Sequence, residues 1–148
     1  MINRCRFLIF YFVFIIGTIN PMKCLAAFEI VYSERTWRKL LIPAQFEILR
    51  KWKTERPFFN SLYGKKSDLL LYESKTKYDS GTGWPSFWAP ITVNVNYRDD
   101  WYVVKLSTEA HCNRCGGHLG HVFDDGPKPT GKRHCINGLA LIFREYKV

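Results

Sequence analysis

The chain is short of several things, and each shortage narrows what it can be. In 148 residues there is no internal repeat and no low-complexity block, which excludes a solenoid or a propeller array. No apolar run reaches the ~20 residues that a membrane-spanning helix needs. The longest, FLIFYFVFIIGTI, covers only residues 7–19. Bases outnumber acids, 22 to 13, for a net charge of +9. They are scattered rather than blocked, so they read as solvated surface and not as a nucleic-acid-binding patch. Cysteine is scarce, with five in the whole chain, and only one CxxC pair occurs.

The apolar run follows a short basic start, MINRCR, and precedes NPMKCLAA, which ends in small residues. That order is the pattern of a secretory signal peptide, residues 1–27, cut after Ala26 or Ala27. Left uncut, it would be a membrane anchor. Cys24 lies in no lipoprotein-like box, because Pro21, Met22 and Lys23 precede it. The expectation is an exported protein, periplasmic or secreted, with one domain over residues 28–148, enough for a single core. The leader removes Arg4, Arg6 and Lys23, no acid, and two cysteines, Cys5 and Cys24. Cys112, Cys115 and Cys135 remain. An odd number of thiols in an oxidising compartment leaves at least one free or reactive.

Residues 33–58 read as two helices. Ser33 is placed to cap the first, and Pro43 suits the first turn of the second, with Phe46, Leu49 and Trp52 at helical spacing. Pro57 marks an end. Beyond it the pattern changes to short β-branched and aromatic runs: LLLYES (69–74), ITVNVNY (91–97), WYVVKLS (101–107), LGHVF (119–123) and LALIF (139–143). These predict strands, and RDD (98–100) predicts a hairpin turn between the second and third. The sequence describes a small β domain with an N-terminal helical arm.

The groups that could do chemistry fall between those strands, where function concentrates. In GKRHCING (131–138), Cys135 stands beside Arg133 and His134 and before an Asn-Gly turn. Cationic neighbours favour a thiolate, so a lowered pKa is expected; the alternative is a half-buried structural cysteine. His118 and His121 in HLGHVFDD are three apart. In a strand they would face opposite sides; across a turn they would converge. Asp124 and Asp125 are near enough to orient an imidazole, and such an imidazole is the proton donor a nucleophilic cysteine needs. In GWPSFW, Trp84 follows a glycine and precedes a proline, which suits an indole held at a pocket mouth against an apolar methyl group. Cys112-x-x-Cys115 is half a zinc site. His111 and His118 are candidates to complete it; a disulfide, a redox pair or two idle thiols are the alternatives.

Together, KYDSGTGWPSFW, HCNRCGGHLGHVFDDGPKPTGKRHCINGLALIF and TERPF resemble the methionine-(R)-sulfoxide reductases of type B, over roughly Phe28 to Phe143. The resemblance implies a mainly β fold of two small antiparallel sheets with N-terminal helices. It implies Cys135 as nucleophile, with His118, His121, Asp125 and Arg133 as the catalytic polar groups. Trp84 and Asn137 would bind substrate. His134 stands where the family often has Tyr. The implied partners are oxidised peptide or protein methionine and a thioredoxin-like or other thiol reductant, with no nucleic acid and a monomeric enzyme. Two departures stand out. Thr82 occupies the place where many members carry a second cysteine that resolves the sulfenic acid, so direct reduction by an external thiol is expected. The family's other CxxC is missing from NSLYGKKSDLLLY, so no cofactor is expected and zinc would find half of its usual ligands. A local Cys112–Cys115 disulfide is expected instead. The readings from other classes are a non-catalytic relic or binding module of the same fold, and a CxxC thiol-disulfide oxidoreductase. The latter is disfavoured by the lack of a βαβ pattern around the pair.

Overall fold

The computed structural model describes residues 28–58, 69–100 and 107–142. The leader, most of the segment expected as a third strand, and Phe143 lie outside the described residues.

Two short helices come first. Helix α1 (Glu34–Leu40) starts at Ser33, whose hydroxyl accepts from the Thr36 N–H at 3.2 Å, supplying one of the partners a helix start lacks. It stops because Ile42 precedes a proline and is driven extended. Pro43 then opens α2 (Pro43–Lys51), where its missing N–H is harmless. Trp37, Leu41 and Phe46 close a small core between the helices. Trp52 departs from expectation. It is the left-handed C-cap of α2, at φ 55°, so its indole leaves the helix's core face and is 59% exposed.

The strands are β1 (Lys77–Tyr78), β2 (Ser86–Phe87), β3 (Val95–Asp100), β4 (Ser107–Cys112), β5 (His118–Phe123) and β6 (Arg133–Ile136). The mainly β class with helices at the N-terminal side is what the structure has. The division into two sheets is not: among the described residues the strands form one antiparallel sheet, in the order β1-β2-β6-β5-β4-β3. The reason is β6, which pairs with β2 on one edge and β5 on the other and so joins what would be two sheets.

Two strand expectations, one hairpin turn and one strand boundary also change; of the 91–97 run only Val95, Asn96 and Tyr97 lie in β3, after a turn over 92–94. Leu69–Glu73 is irregular chain leading into a 3-10 turn, Ser74–Thr76. Two of its carbonyls are held there, Leu70 O by the Asn94 amide and Leu71 O by the Ile91 N–H, while Leu71 and Tyr72 pack against the core. The RDD triplet ends β3 rather than turning. LALIF begins in a 3-10 turn, Gly138–Ala140, because the buried Glu55 carboxylate captures the N–H groups of Gly138 (2.5 Å) and Leu139 (2.9 Å). Short apolar runs look alike in strands and in buried irregular segments.

One sheet face carries the main core: Phe87, Val95, Ala110 and Ile136, joined by Leu119. Leu49 of α2 packs on both cores, so the helical arm is tied to the sheet. The opposite face carries the polar residues considered next.

Candidate active site

Cross-strand partners in an antiparallel sheet project to the same face. The register therefore writes one row across five strands: Ser86, Cys135, His121, Glu109 and Arg98. Cys135 and His121 are direct partners on β6 and β5. Cys135, expected in a loop, is on a strand.

His118 joins this face by a bulge. The register runs Ala110↔Gly120 and then His111↔His118, so β5 carries one extra residue. A bulge re-aims the side chains on one side of it. Leu119 drops into the core, and His118 comes round to lie edge-on to His121, with ring centroids 5.3 Å apart. The two histidines thus converge within a strand. Gly120 permits it: a Cβ there would lie 2.1 Å from the Cys135 carbonyl oxygen.

The carboxylates that hold these rings are not the expected ones. His121 Nε2 donates to Asp100 Oδ2 at 2.8 Å. His118 Nδ1 donates to Glu109 Oε1 at 2.7 Å, with both residues buried. Asp125, expected to orient His121, instead accepts from Arg133 Nε (2.7 Å) and Nη2 (2.8 Å). That fork lowers the Asp125 pKa and raises that of Arg133. It also aims the guanidinium at the nucleophile. Arg133 is half-buried and packs on the Phe123 ring at 4.3 Å, and its charge, with the Thr82 side chain, favours the Cys135 thiolate. Thr82 belongs to a hydroxyl chain with Ser80 (2.8 Å) and Ser86 (2.7 Å).

The expected fall in the Cys135 pKa does not occur in the substrate-free protein. Burial pushes the thiol up, and the Arg133 charge and the hydrogen bonds from Thr82 and Arg133 offset this only in part. His134 gives no help. As the neighbour of Cys135 on a strand, it faces the other way. It lies among Tyr72, Phe87 and Tyr97, with its Nδ1 3.2 Å from the Tyr72 hydroxyl. Burial, with Lys132 adding to it, lowers its pKa to about 4, so it is a neutral ring at pH 7.

Trp84 sits two residues before Ser86 and is half-buried, with its indole Nε1 donating to Glu55 O at 3.0 Å. Asn137 was expected at the substrate. Its amide makes two bonds to backbone, Oδ1 accepting from Glu55 N (2.9 Å) and Nδ2 donating to Leu119 O (3.0 Å). It ties together the segments that carry Trp84, His118 and Cys135. Glu55, inside TERPF, accepts from Trp84 and donates to Asn137 through its backbone, and its burial is visible only in the structure.

A model of the SelR domain matches residues 41–145. The chain is 46% identical over 122 residues to the peptide methionine sulfoxide reductase MsrB of Methanosarcina barkeri, covering 76% of this chain and 86% of that one. It is 44% identical over 125 residues to the protein of the same name from Methanosarcina mazei, covering 78% and 89%. With the MsrB of Leptospira interrogans it shares 42% over 129 residues, covering 80% and 98%. The chain belongs to the methionine-(R)-sulfoxide reductase B family.

Zinc, which resemblance to that family brings into question, does not fit the described residues. Cys112 and Cys115 are not joined in a disulfide, and a hydrogen bond with Cys112 acts on the Cys115 thiol. That bond, with burial, drives the Cys115 pKa far upward. Among the described residues no group of three or more His, Cys, Asp or Glu is placed to hold a metal ion, and two sulfurs do not make the tetrahedral set that structural zinc takes. The expected disulfide is likewise not formed in this structure. In this reductase the pair also lies off the reaction face: Cys112 shares the core side of β4 with Ala110, opposite to the row that carries Cys135.

Proposed function

We propose that this protein reduces methionine-(R)-sulfoxide in peptides and proteins, with Cys135 as nucleophile and a sulfenic acid as intermediate. The observation that carries this reading is the pairing of Cys135 with His121 across β5 and β6, on a face where Asp100 holds the imidazole. A carboxylate only accepts, so His121 carries its proton on Nε2 and works through Nδ1. A sulfoxide oxygen leaves sulfur readily only when it is protonated. The Cys135 sulfur attacks the substrate sulfur and the thiol gives up its proton, while an imidazolium supplies one to the oxygen. The S–O bond breaks and the oxygen leaves as water, which leaves the Cys135 sulfur bonded to a sulfonium. Water then attacks the Cys135 sulfur, the S–S bond breaks, methionine leaves, a proton is released, and Cys135 becomes a sulfenic acid. The overall step takes up and releases no proton, so a thiol held protonated at rest is compatible with it. The indole of Trp84 takes the methyl group, and Arg133 stabilises the sulfur as it becomes anionic.

The sulfenic acid is returned by an external thiol. One thiol forms a mixed disulfide and releases water, and a second restores Cys135 as a disulfide leaves. Two observations support this route. Thr82, not a cysteine, is the side chain of its loop that acts on the Cys135 thiol, and Cys112 lies behind the sheet. We place the enzyme outside the cytoplasm, where it repairs oxidised exported proteins, on the composition of residues 1–27.

The test is turnover of separated R and S sulfoxides with dithiothreitol, by wild type and Cys135→Ser. Turnover of the R form alone, lost in the variant, is expected. Loss in Cys112→Ser with activity kept in Cys135→Ser would transfer the chemistry to the CxxC pair. A folded protein that turns over neither form would be a binding module.

A further inference from the structure

Beyond Cys135 and His121, the reaction face holds a buried charge cluster that this chemistry has not used. Glu109, on β4, is 3% exposed. A carboxylate so far from water is tolerated only when it is paired and hydrogen-bonded. It is paired twice. Arg98, its register partner on β3, approaches with Nε and with Nη2, the latter 3.0 Å from Oε1. His118 Nδ1 donates to the same Oε1 at 2.7 Å. Burial works against this carboxylate, yet the bonds from His118 and Arg98 win, and its pKa lies below the usual value.

The other end of the His118 ring is unusual. The residue is 1% exposed, and its Nε2 has no hydrogen-bond partner among the described residues. Buried polar atoms are nearly always satisfied, and an exception calls for a missing ligand or water. This ring lies edge-on to His121, beside the cysteine. Outside the cluster, the left-handed cap of α2 sets the Trp52 indole 5.4 Å from the Arg98 guanidinium. The half-exposed arginine is thus held from its solvent side as well.

We propose that Glu109, clamped by Arg98 under Trp52, is a positioning residue: it fixes the Nδ1–H tautomer of His118 and keeps Nε2 for the sulfoxide oxygen or the water that precedes it. The carboxylate offers only lone pairs to Nδ1, so the hydrogen stays there. The arginine fork keeps that carboxylate from rotating away or taking up a proton. The contribution to turnover rests on the reductase reading; the tautomer does not.

The test uses both. In the full-length protein with ¹⁵N-labelled histidine, with His118 assigned by comparison with His118→Asn, neutral His118 should carry hydrogen on Nδ1. Glu109→Gln, whose amide can turn its NH₂ toward the ring, should lose that preference. A wild-type ring with hydrogen on Nε2 overturns the proposal without any variant having to fold, and whether or not the protein turns over sulfoxide. For turnover, Glu109→Gln should lower kcat roughly 10–100-fold at little change in KM, part of the ~10²–10⁴ that a positioned acid or base supplies. Glu109→Asp should restore some of it. In a His118→Asn background, Glu109→Gln should have no further effect. Fully additive losses would show that Glu109 acts elsewhere and overturn the assignment.

Discussion

Asp100 at the end of β3 reaches past β4 to accept a hydrogen bond from His121 on β5, 2.8 Å from Nε2. Asp125, much nearer in sequence, holds Arg133 instead. The two acids therefore have different jobs, and replacing each by asparagine separates them. Asp100→Asn frees the imidazole to turn and lets the wrong tautomer form. Turnover of the R sulfoxide should fall roughly 10–100-fold, within the range for a positioned general acid, with little change in the alkylation rate of Cys135. Asp125→Asn should slacken Arg133 and act on the alkylation rate. Steady-state kinetics and iodoacetamide labelling of the two variants read this directly. An Asp125→Asn enzyme that loses turnover with unchanged labelling would reverse the assignment.

The Cys135 thiol titrates upward from its ordinary value because burial outweighs the help from Arg133 and Thr82. Alkylation of the substrate-free protein should thus reach half its limiting rate at a pH above that of an ordinary cysteine. Both helpers favour the thiolate, so removing either should raise the midpoint further. Arg133→Met should have the larger effect, since the charge of Arg133 is the leading favourable cause, and Thr82→Val the smaller. A midpoint below the ordinary cysteine value in the wild type, or one that falls in Arg133→Met, would contradict the electrostatics of the site.

His134 is neutral in the folded protein, with a pKa of about 4 against 6.5 for a free imidazole. Below pH 6.5 the unfolded chain takes up a proton that the folded one refuses. The stability contributed by the buried neutral ring is therefore fully present above pH 6.5, is lost as the pH falls toward 4, and changes no further below that. The full span corresponds to about 3 kcal/mol. His134→Phe removes this group, so urea unfolding of the variant between pH 7 and 4 should show a shallower loss than wild type. Parallel curves would show that folding leaves the proton affinity of His134 unchanged.

The leader reading has its own check. Protein recovered from the producing cells and sequenced from its N-terminus should begin at Ala27 or Phe28. A start at Met1 would remove the proposal of cleavage.

The residues that could do chemistry were legible because their types are rare in the chain. Cys135, His118, His121 and Trp84 stand out against surroundings that do not need them for packing, and Arg133, of a commoner type, is legible only by its place beside Cys135. Their partners were not legible. Asp100 and Glu109 reach the site only through a register spanning β3, β4 and β5, and no local pattern shows a register. The convergence of the histidines depends on a single extra residue in β5, which alternation alone cannot reveal. One signal was there to be used: RHCI is a strand, and a period of two would have sent His134 away from Cys135 at once. The helices were easier, since Ser33 and Pro43 fix their starts by local chemistry. Leu69–Glu73 and the run after Gly138 misled because apolar residues mark burial before they mark conformation.

Gly120 tests the central geometry most sharply. A β-carbon there would lie 2.1 Å from the Cys135 carbonyl oxygen and 3.0 Å from Ile136 Cα. Both are backbone atoms of β6, so no side chain can swing aside to make room. Gly120→Ala must push β5 and β6 apart at the position between His118 and His121. Overpacking of this kind costs ~1–3 kcal/mol or more, and it falls on the strand pair that sets the Cys135–His121 spacing. The variant should melt several degrees lower. It should also lose turnover out of proportion to the fraction unfolded at the assay temperature, because every folded molecule has a widened site. Gly81→Ala provides the comparison. Its backbone is left-handed, at φ 69°, but nothing lies within 4 Å of the added carbon, so it should lose stability by strain and keep more of its activity per folded molecule. Equal specific activity in the folded fractions of both variants would mean that the spacing across β5 and β6 does not limit the reaction.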